Sequence, residues 1–479
     1  MLAVAALGAP AYAQVSGVTY NVIYSFSNGA NGLGDGFYPL GSLALGSDGS
    51  YYGTTEAGGV NNEGTVFKLT SSGTMITVHS FPDPTVTNDG HNPVGGNGLI
   101  QDSTGNWYGT TATGGTNSTG TVFEITPTGT YSIIYSFGLA PDGFAPYAGL
   151  TFDANGNLWG TTLEGGVNNV GTVFMLTNNG GGSFTYNKIH DFDVTDGVAA
   201  YNSSMLWTPS GNLFGTTEEG GAHNPAGVIF KISSMPPYRL TVLHSFDILD
   251  GEYPRGSLLL GQDGNLYGTT GAGGANGEGT LFNISQDGRT FNTLHSLSAT
   301  DGILPYAGLV QDSNGNFFGD TYEGGANGEG TLFMYSQAGG YQVLYNFGSS
   351  SGDANFGCGT LVQPADDVFL GTTCQGGAVN NLGKSYTGDG AIYSFNATQL
   401  VSGTSGSGGT TGGGSTGGST GGSTGGSTGG STGGTTGGTT CCNTSTGSSS
   451  GGAVDPVLLL ALLGLFGLRA RHAGQRRIH

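Results

Sequence analysis

Basic residues are scarce. Lysine and arginine together number 11 in 479 residues, against 32 aspartates and glutamates, for a formal net charge of −21. Four of the 11 (Arg469, Arg471, Arg476 and Arg477) lie near the C-terminus, so the body of the chain is more acidic still. A surface of that sign repels phosphate backbones, which excludes nucleic acid as a partner and leaves cations, basic proteins and neutral sugars compatible. Helical periodicity is missing outside the C-terminal tail. Catalytic signatures are missing too. There is no serine-hydrolase elbow, a Gly-x-Ser-x-Gly turn leading into a helix, and no His-Glu-x-x-His zinc motif or Walker-type phosphate loop. Paired carboxylates can serve glycoside hydrolysis, but an acid recurs in nearly every repeat and no pair stands apart. A carbohydrate-active enzyme (glycoside hydrolase or lyase) is therefore the alternative reading, as is a structural surface-layer protein, and a binding role leads.

What the chain does have is glycine, 97 residues, together with 24 Phe and 22 Tyr. The glycines do not fall at every third position, which excludes a collagen helix. Glycine with abundant Tyr, Phe, Val and Thr suggests many short strands joined by tight turns.

One unit recurs. Gly-Thr-Thr, usually after an aromatic residue, has its glycine at 53, 109, 160, 215, 268 and 371, with Gly319-Asp-Thr as the departing copy. Each unit supplies four short segments, A to D, as in Gly256-Ser-Leu-Leu-Leu, Leu266-Tyr-Gly-Thr-Thr, Gly279-Thr-Leu-Phe-Asn-Ile-Ser and Phe291-Asn-Thr-Leu-His-Ser-Leu. Four strands in about 50 residues fit a β-propeller blade. The chain opens on a lone D segment (residues 20–26) and the repeats end on A, B and C without D. The first strand can thus complete the last blade, hiding both sheet edges. The expected fold is all-β, a seven-bladed β-propeller over residues 18–397.

Two loops emerge on one face of such a ring, D-to-A and B-to-C. The first carries Asp35, Asp89, Asp142, Asp196, Asp250, Asp301 and Asp353; proline follows four residues later in five of them. The second reads Gly-Gly-x-Asn-x-x-Gly-Thr, often after a glutamate (Glu56, Glu164, Glu219, Glu323). Turn formation accounts for both patterns, since Asp and Asn bond their own backbone and Gly takes positive φ. The functional reading is a ring of carboxylates around one channel mouth, suited to sugar hydroxyls or to Ca²⁺. No cofactor motif is present, and Ca²⁺ is the one ion the pattern suits. Tyr24, His79, Tyr135, His190, His244, His295 and Tyr345 share one place in strand D, which points to packing or hydrogen bonding rather than chemistry. Cys358 and Cys374 fall across the A–B turn of the seventh blade, within disulfide reach. The seventh B-to-C loop, Gln375 to Gly390, is longer than the rest and holds Lys384, Tyr386 and Asp389.

The ends of the chain read as export and anchoring signals. Residues 1–13 form a short apolar stretch closing on Ala-Tyr-Ala, with cleavage expected between Ala13 and Gln14. Residues 398–452 are a Gly/Ser/Thr tract that behaves as a flexible spacer; Cys441 and Cys442 lie within it. Residues 453–479 form a sorting or membrane-anchor segment: Gly451 and Gly452 precede it, Asp455-Pro456 opens a short apolar run, and Arg469 and Arg471 follow. That run is shorter than the ~20 residues that span a bilayer comfortably, and the basic end should stay cytoplasmic.

The units Tyr52-Gly-Thr-Thr…Gly58-Gly…Gly64-Thr-Val-Phe67 and Tyr108-Gly-Thr-Thr…Gly114-Gly…Gly120-Thr-Val-Phe123 resemble those of the bacterial choice-of-anchor tandem-repeat proteins called GloVer-containing. The resemblance covers roughly residues 20–396. It implies an interchangeable C-terminal anchor cut by a sorting intramembrane peptidase, here with a tail similar to the Gly-Gly or Asp-Pro class. It therefore implies an exported bacterial protein at the cell surface or outer membrane, or released after processing. The loop face, rather than the resemblance, points to a polysaccharide or a surface protein as ligand. No activity comes with it.

Overall fold

The computed structural model describes residues 18–397, apart from 28–33, 94–95, 97, 199, 202, 224, 234 and 378–388. The export segment, the spacer, the tail, Lys384 and Tyr386 lie outside the described residues. Every regular element described is a β-strand.

Blade 1 shows the unit: strand A Ala44–Leu45, B Tyr51–Thr55, C Thr65–Leu69 and D Met75–Ser80, paired antiparallel in that order. Five further four-stranded sheets repeat it. The seventh takes A and B from Ala354–Gly357, Val362–Ala365 and Val368–Gly376, C from Ala391–Asn396, and D from the N-terminal Thr19–Ser25. The closing strand runs antiparallel to strand C, with Thr19 opposite Asn396 and Ser25 opposite Ala391. The Thr372 hydroxyl donates to the Gly41 carbonyl at 3.2 Å, tying blade 7 to blade 1. The ring of seven blades is closed as the sequence implies.

The Gly-Thr-Thr motif has a packing reason. Its glycine lies under the strand C aromatic; a Cβ on Gly53 would sit 2.5 Å from the Phe67 ring, and one on Gly109 equally close to Phe123. The second threonine is fully buried and its hydroxyl meets the first hydroxyl of strand C, as in Thr55–Thr65 at 2.8 Å and Thr111–Thr121 at 2.7 Å. Buried hydroxyls need such partners. The prolines seat one blade on the last: a Cβ on Gly120 (φ +102°) would strike Pro146 and the Thr111 carbonyl. Asp102, Asp153 and Asp312 hold the A–B turns by accepting backbone amides two and four residues on. Cys358 and Cys374 form a disulfide, Cα–Cα 5.8 Å.

Candidate functional site

The seven loop aspartates are placed by one repeated device. A β-bulge interrupts the C–D pairing beside the strand D Tyr or His, between Val66 and Phe67 in blade 1 and between Val173 and Phe174 in blade 3. A bulge re-aims the following side chain. Here it turns the ring to the loop, where Tyr24, His79, Tyr135, His190, His244, His295 and Tyr345 bond Asp35, Asp89, Asp142, Asp196, Asp250, Asp301 and Asp353 at 2.6 to 3.1 Å. Many of these rings also stack on the next blade's strand D: His79 on Tyr131 at 3.9 Å, Tyr135 on Tyr186 at 4.2 Å, His244 on Phe291 at 3.9 Å. Burial alone would raise the Asp89 pKa, but hydrogen bonds from His79, the Asp83 amide and Tyr131 outweigh it and hold it below its usual value.

These carboxylates therefore sit in the seams between outer strands, each engaged with its own blade's ring, rather than around the channel. Among the described residues, no three His, Cys, Asp or Glu side chains come together to hold a metal ion. Asp142 accepts from the Tyr135 and Tyr186 hydroxyls and the Gly138 and Gly143 amides. Asp142→Ala is expected to cost about 2 kcal/mol, because four partly buried donors lose their acceptor. The shift of the urea midpoint measures it.

The four glutamates fall in two columns. Glu164, Glu219 and Glu323 stand second after Gly-Thr-Thr, where their backbone carbonyls accept the hydroxyls of Thr162, Thr217 and Thr321. Glu56 stands first, in the column shared by Glu218 and Tyr322. In that column the amides of Glu56, Ala112, Leu163, Gly271 and Tyr322 donate to the carbonyls of Tyr38, Asn92, Ala145, Tyr253 and Leu304, at 2.9 to 3.1 Å. These five acceptors all have φ between 53° and 57°. Non-glycine residues reach that region at a cost of roughly 1 kcal/mol or more. Its repetition shows a turn the fold enforces, and two residues beyond the turns at Tyr38, Ala145, Tyr253 and Leu304 comes the side chain that faces the axis.

Blades 1 and 3 to 7 thus each bring two positions toward the axis, the fifth residue after the loop aspartate and the first after Gly-Thr-Thr. The pairs are Leu40 with Glu56, Tyr147 with Leu163, Tyr201 with Glu218, Arg255 with Gly271, Tyr306 with Tyr322, and the disulfide Cys358–Cys374; the second blade's Val94 lies outside the described residues. The charge of Glu56 in blade 1 acts on Tyr147 of blade 3 and Tyr201 of blade 4, and Tyr201 also feels Arg255 and Glu218. Residues of blades that are not neighbours thus come near enough to act on one another electrostatically, as they do around the axis of a closed ring.

The mouth is aromatic and polar. The Tyr147 and Tyr201 ring centroids are 5.2 Å apart. The Arg255 guanidinium lies 4.6 Å from the Tyr306 centroid, and its Nε donates to Glu218 at 2.9 Å. Tyr306, Tyr322 and Phe356 continue the surface, with centroids 5.0 and 4.9 Å apart. Burial opposes the charge on Arg255, but Glu218 and the neighbouring tyrosines outweigh it and raise its pKa. Burial pushes the Glu56 carboxyl above its usual value.

Sequence reasoning picked out Glu56 but passed over Tyr147, Tyr201, Glu218, Arg255, Tyr306 and Tyr322. The signal was present in reverse. The loop aspartate is constant in all seven units, while the fifth residue after it reads Leu, Val, Tyr, Tyr, Arg, Tyr, Cys. Constant columns build the frame, and the variable column beside them faces the axis.

A family model described as the Gloeobacter/Verrucomicrobia repeat matches residues 11–150, 96–311, 154–386 and 234–447. No curated protein matches the sequence. Among solved structures, the chain is similar to a gluconolactonase, XC5397 from Xanthomonas campestris, at 11% identity over 63% of this chain and 85% of that one, TM-score 0.38. It is also similar to a PQQ-bound aldose sugar dehydrogenase from Streptomyces coelicolor, at 12% identity over 80% and 99% of the two chains, TM-score 0.41. A third is PorZ, a bacterial surface component of the type-IX secretion system of Porphyromonas gingivalis, at 15% identity over 60% and 38%, TM-score 0.40.

Proposed function

Taking as premise that the chain belongs to the Gloeobacter/Verrucomicrobia repeat family, we propose that it is an exported binding module, held at the bacterial surface by its C-terminal tail, whose axial mouth takes carbohydrate. The observation that carries this reading is the contrast between columns. The frame positions repeat from blade to blade, whereas the axial positions diverge into tyrosines, glutamates and an arginine. Tyrosine faces suit the apolar faces of sugar rings, and Glu56 with the Glu218–Arg255 pair suits hydroxyl groups. Orientation supports the reading too. Strand C of blade 7 starts at the B-to-C loop and ends beside the A–B turn, where the Ala397 amide donates to the Asp367 carbonyl at 2.9 Å. The last described residue, Ala397, thus lies on the face opposite the mouth, which leaves the mouth clear of the point where the chain continues.

A polysaccharide array probed with the full chain tests this. Binding is expected, with at least about a tenfold loss in a Tyr147→Ala, Tyr201→Ala variant, since each aromatic contact is worth on the order of 1 kcal/mol. Absence of binding to every saccharide, or binding indifferent to that variant, overturns the reading.

A further inference from the structure

Among the described residues the mouth's charges do not balance, and the imbalance is local. Two glutamates occupy the first position after Gly-Thr-Thr, Glu56 and Glu218. Glu218 is neutralised, since Arg255 bonds it directly and is committed on its other side to the Tyr306 ring. Among the described residues no side chain hydrogen-bonds or ion-pairs with the Glu56 carboxylate, and Arg255 is the one cation described at the mouth. The groups whose ionisation Glu56 affects are the half-buried tyrosines Tyr147 and Tyr201. A carboxylate recessed from water without a counter-charge favours any ligand that supplies one. The faces of tyrosine rings carry negative potential and attract the same kind of ligand.

We propose, resting on the carbohydrate reading above, that the sugar bound at the mouth carries a free amino group, and that the Glu56 carboxylate holds its ammonium against the faces of Tyr147 and Tyr201. The ammonium donates to the carboxylate in a charge-assisted hydrogen bond and supplies the counter-charge that no described residue provides. Acetylation removes both the charge and two of the three donors, and a hydroxyl supplies no charge, so the site discriminates against N-acetylated and neutral sugars. Arg255 does not compete for Glu56, because Glu218 and Tyr306 hold it on the blade 5–6 side of the mouth.

Titration calorimetry of the full chain at pH 6 tests this with three tetrasaccharides: β-1,4-glucosamine, its N-acetylated form and β-1,4-glucose. The glucosamine oligomer is expected to bind at least about tenfold more tightly than the other two. Glu56→Gln should abolish that preference, lowering the affinity for the glucosamine oligomer at least about tenfold and that for the glucose oligomer far less. Raising the salt concentration should weaken the glucosamine complex alone, a readout that needs no variant. Equal affinities, or a preference for the acetylated oligomer, overturn the amine assignment and leave the carbohydrate reading standing. A lysine tetrapeptide that binds where no saccharide does overturns both, as does the failure of all four probes.

Discussion

Deleting residues 18–27 should leave no stable monomer. The strand Thr19–Ser25 is the outer strand of blade 7, and its residues are part of the packing on either side. Phe26 is 1% exposed and packs edge-on against Phe67 of blade 1, with centroids 5.2 Å apart. Tyr20 stacks on Tyr345 of blade 6 at 3.9 Å. Losing buried aromatics costs roughly 3–5 kcal/mol each, against a total stability of about 5–15 kcal/mol for a typical domain. The deletion also bares the edge of Ala391–Asn396, a row of unpaired amides and carbonyls that invites pairing with another chain. Size-exclusion chromatography should show oligomers or aggregate, and a synthetic peptide of residues 18–27 should restore a monomer. A deletion variant that stays monomeric with an unchanged melting temperature would show that the ring does not depend on its closing strand.

The second large effect concerns a pair that breaks the repeat twice. Asp320 stands where the other units have the first threonine of Gly-Thr-Thr, and Tyr393 stands where they have phenylalanine. The Tyr393 hydroxyl lies over Gly371 and donates to Asp320 Oδ2 at 2.8 Å across the blade 6–7 seam, while Asp320 Oδ1 is buried without a partner. Burial pushes the Asp320 carboxyl up to about 7, with the tyrosine bond pulling it only partly back. Its pKa when unfolded is about 3.9. Between those values the native state binds a proton that the unfolded state has released, so stability falls as pH rises through the window. Above pH 7 the full penalty is present, on the order of 4 kcal/mol. The double substitution Asp320→Thr, Tyr393→Phe restores the repeat at both places. It should stabilise the protein by a few kcal/mol at pH 8 and by little at pH 4, as read from urea unfolding at each pH. Equal gains at both would mean that the carboxyl's ionisation is not what destabilises the native state. Tyr393→Phe alone removes the carboxylate's side-chain donor and should destabilise more at pH 8 than at pH 4.

The frame was legible because its chemistry repeats. Glycine under an aromatic ring, paired threonine hydroxyls and proline on glycine are local demands, so they leave the same residues at the same spacing in every unit. The ring closure was legible for the same reason, as an orphan D segment matched by a missing one, and the cysteine pairing followed from strand register. The link between the strand D rings and the loop aspartates was half legible. Both columns could be seen, but the distance between them runs from 6 residues in His190–Asp196 to 11 in Tyr24–Asp35. A bulge that carries no residue signature supplies the aim. The axial positions were hidden by their own variety. Glu56 and Glu164 looked like one column, yet differ by one place after Gly-Thr-Thr, and only Glu56 shares the column of Glu218 and Tyr322.

The way the ring closes also decides how the module carries tension. The strand from which the chain departs, Ala391–Asn396, is an inner strand with Val368–Gly376 on one side and Thr19–Ser25 on the other. A pull applied beyond Ala397 runs along that strand's axis. It must shear two hydrogen-bonded ladders together, whereas an outer strand would shear one. Under the surface tether and polymer-binding mouth proposed above, the load falls in this direction, where the hydrogen bonds of the strand act in parallel.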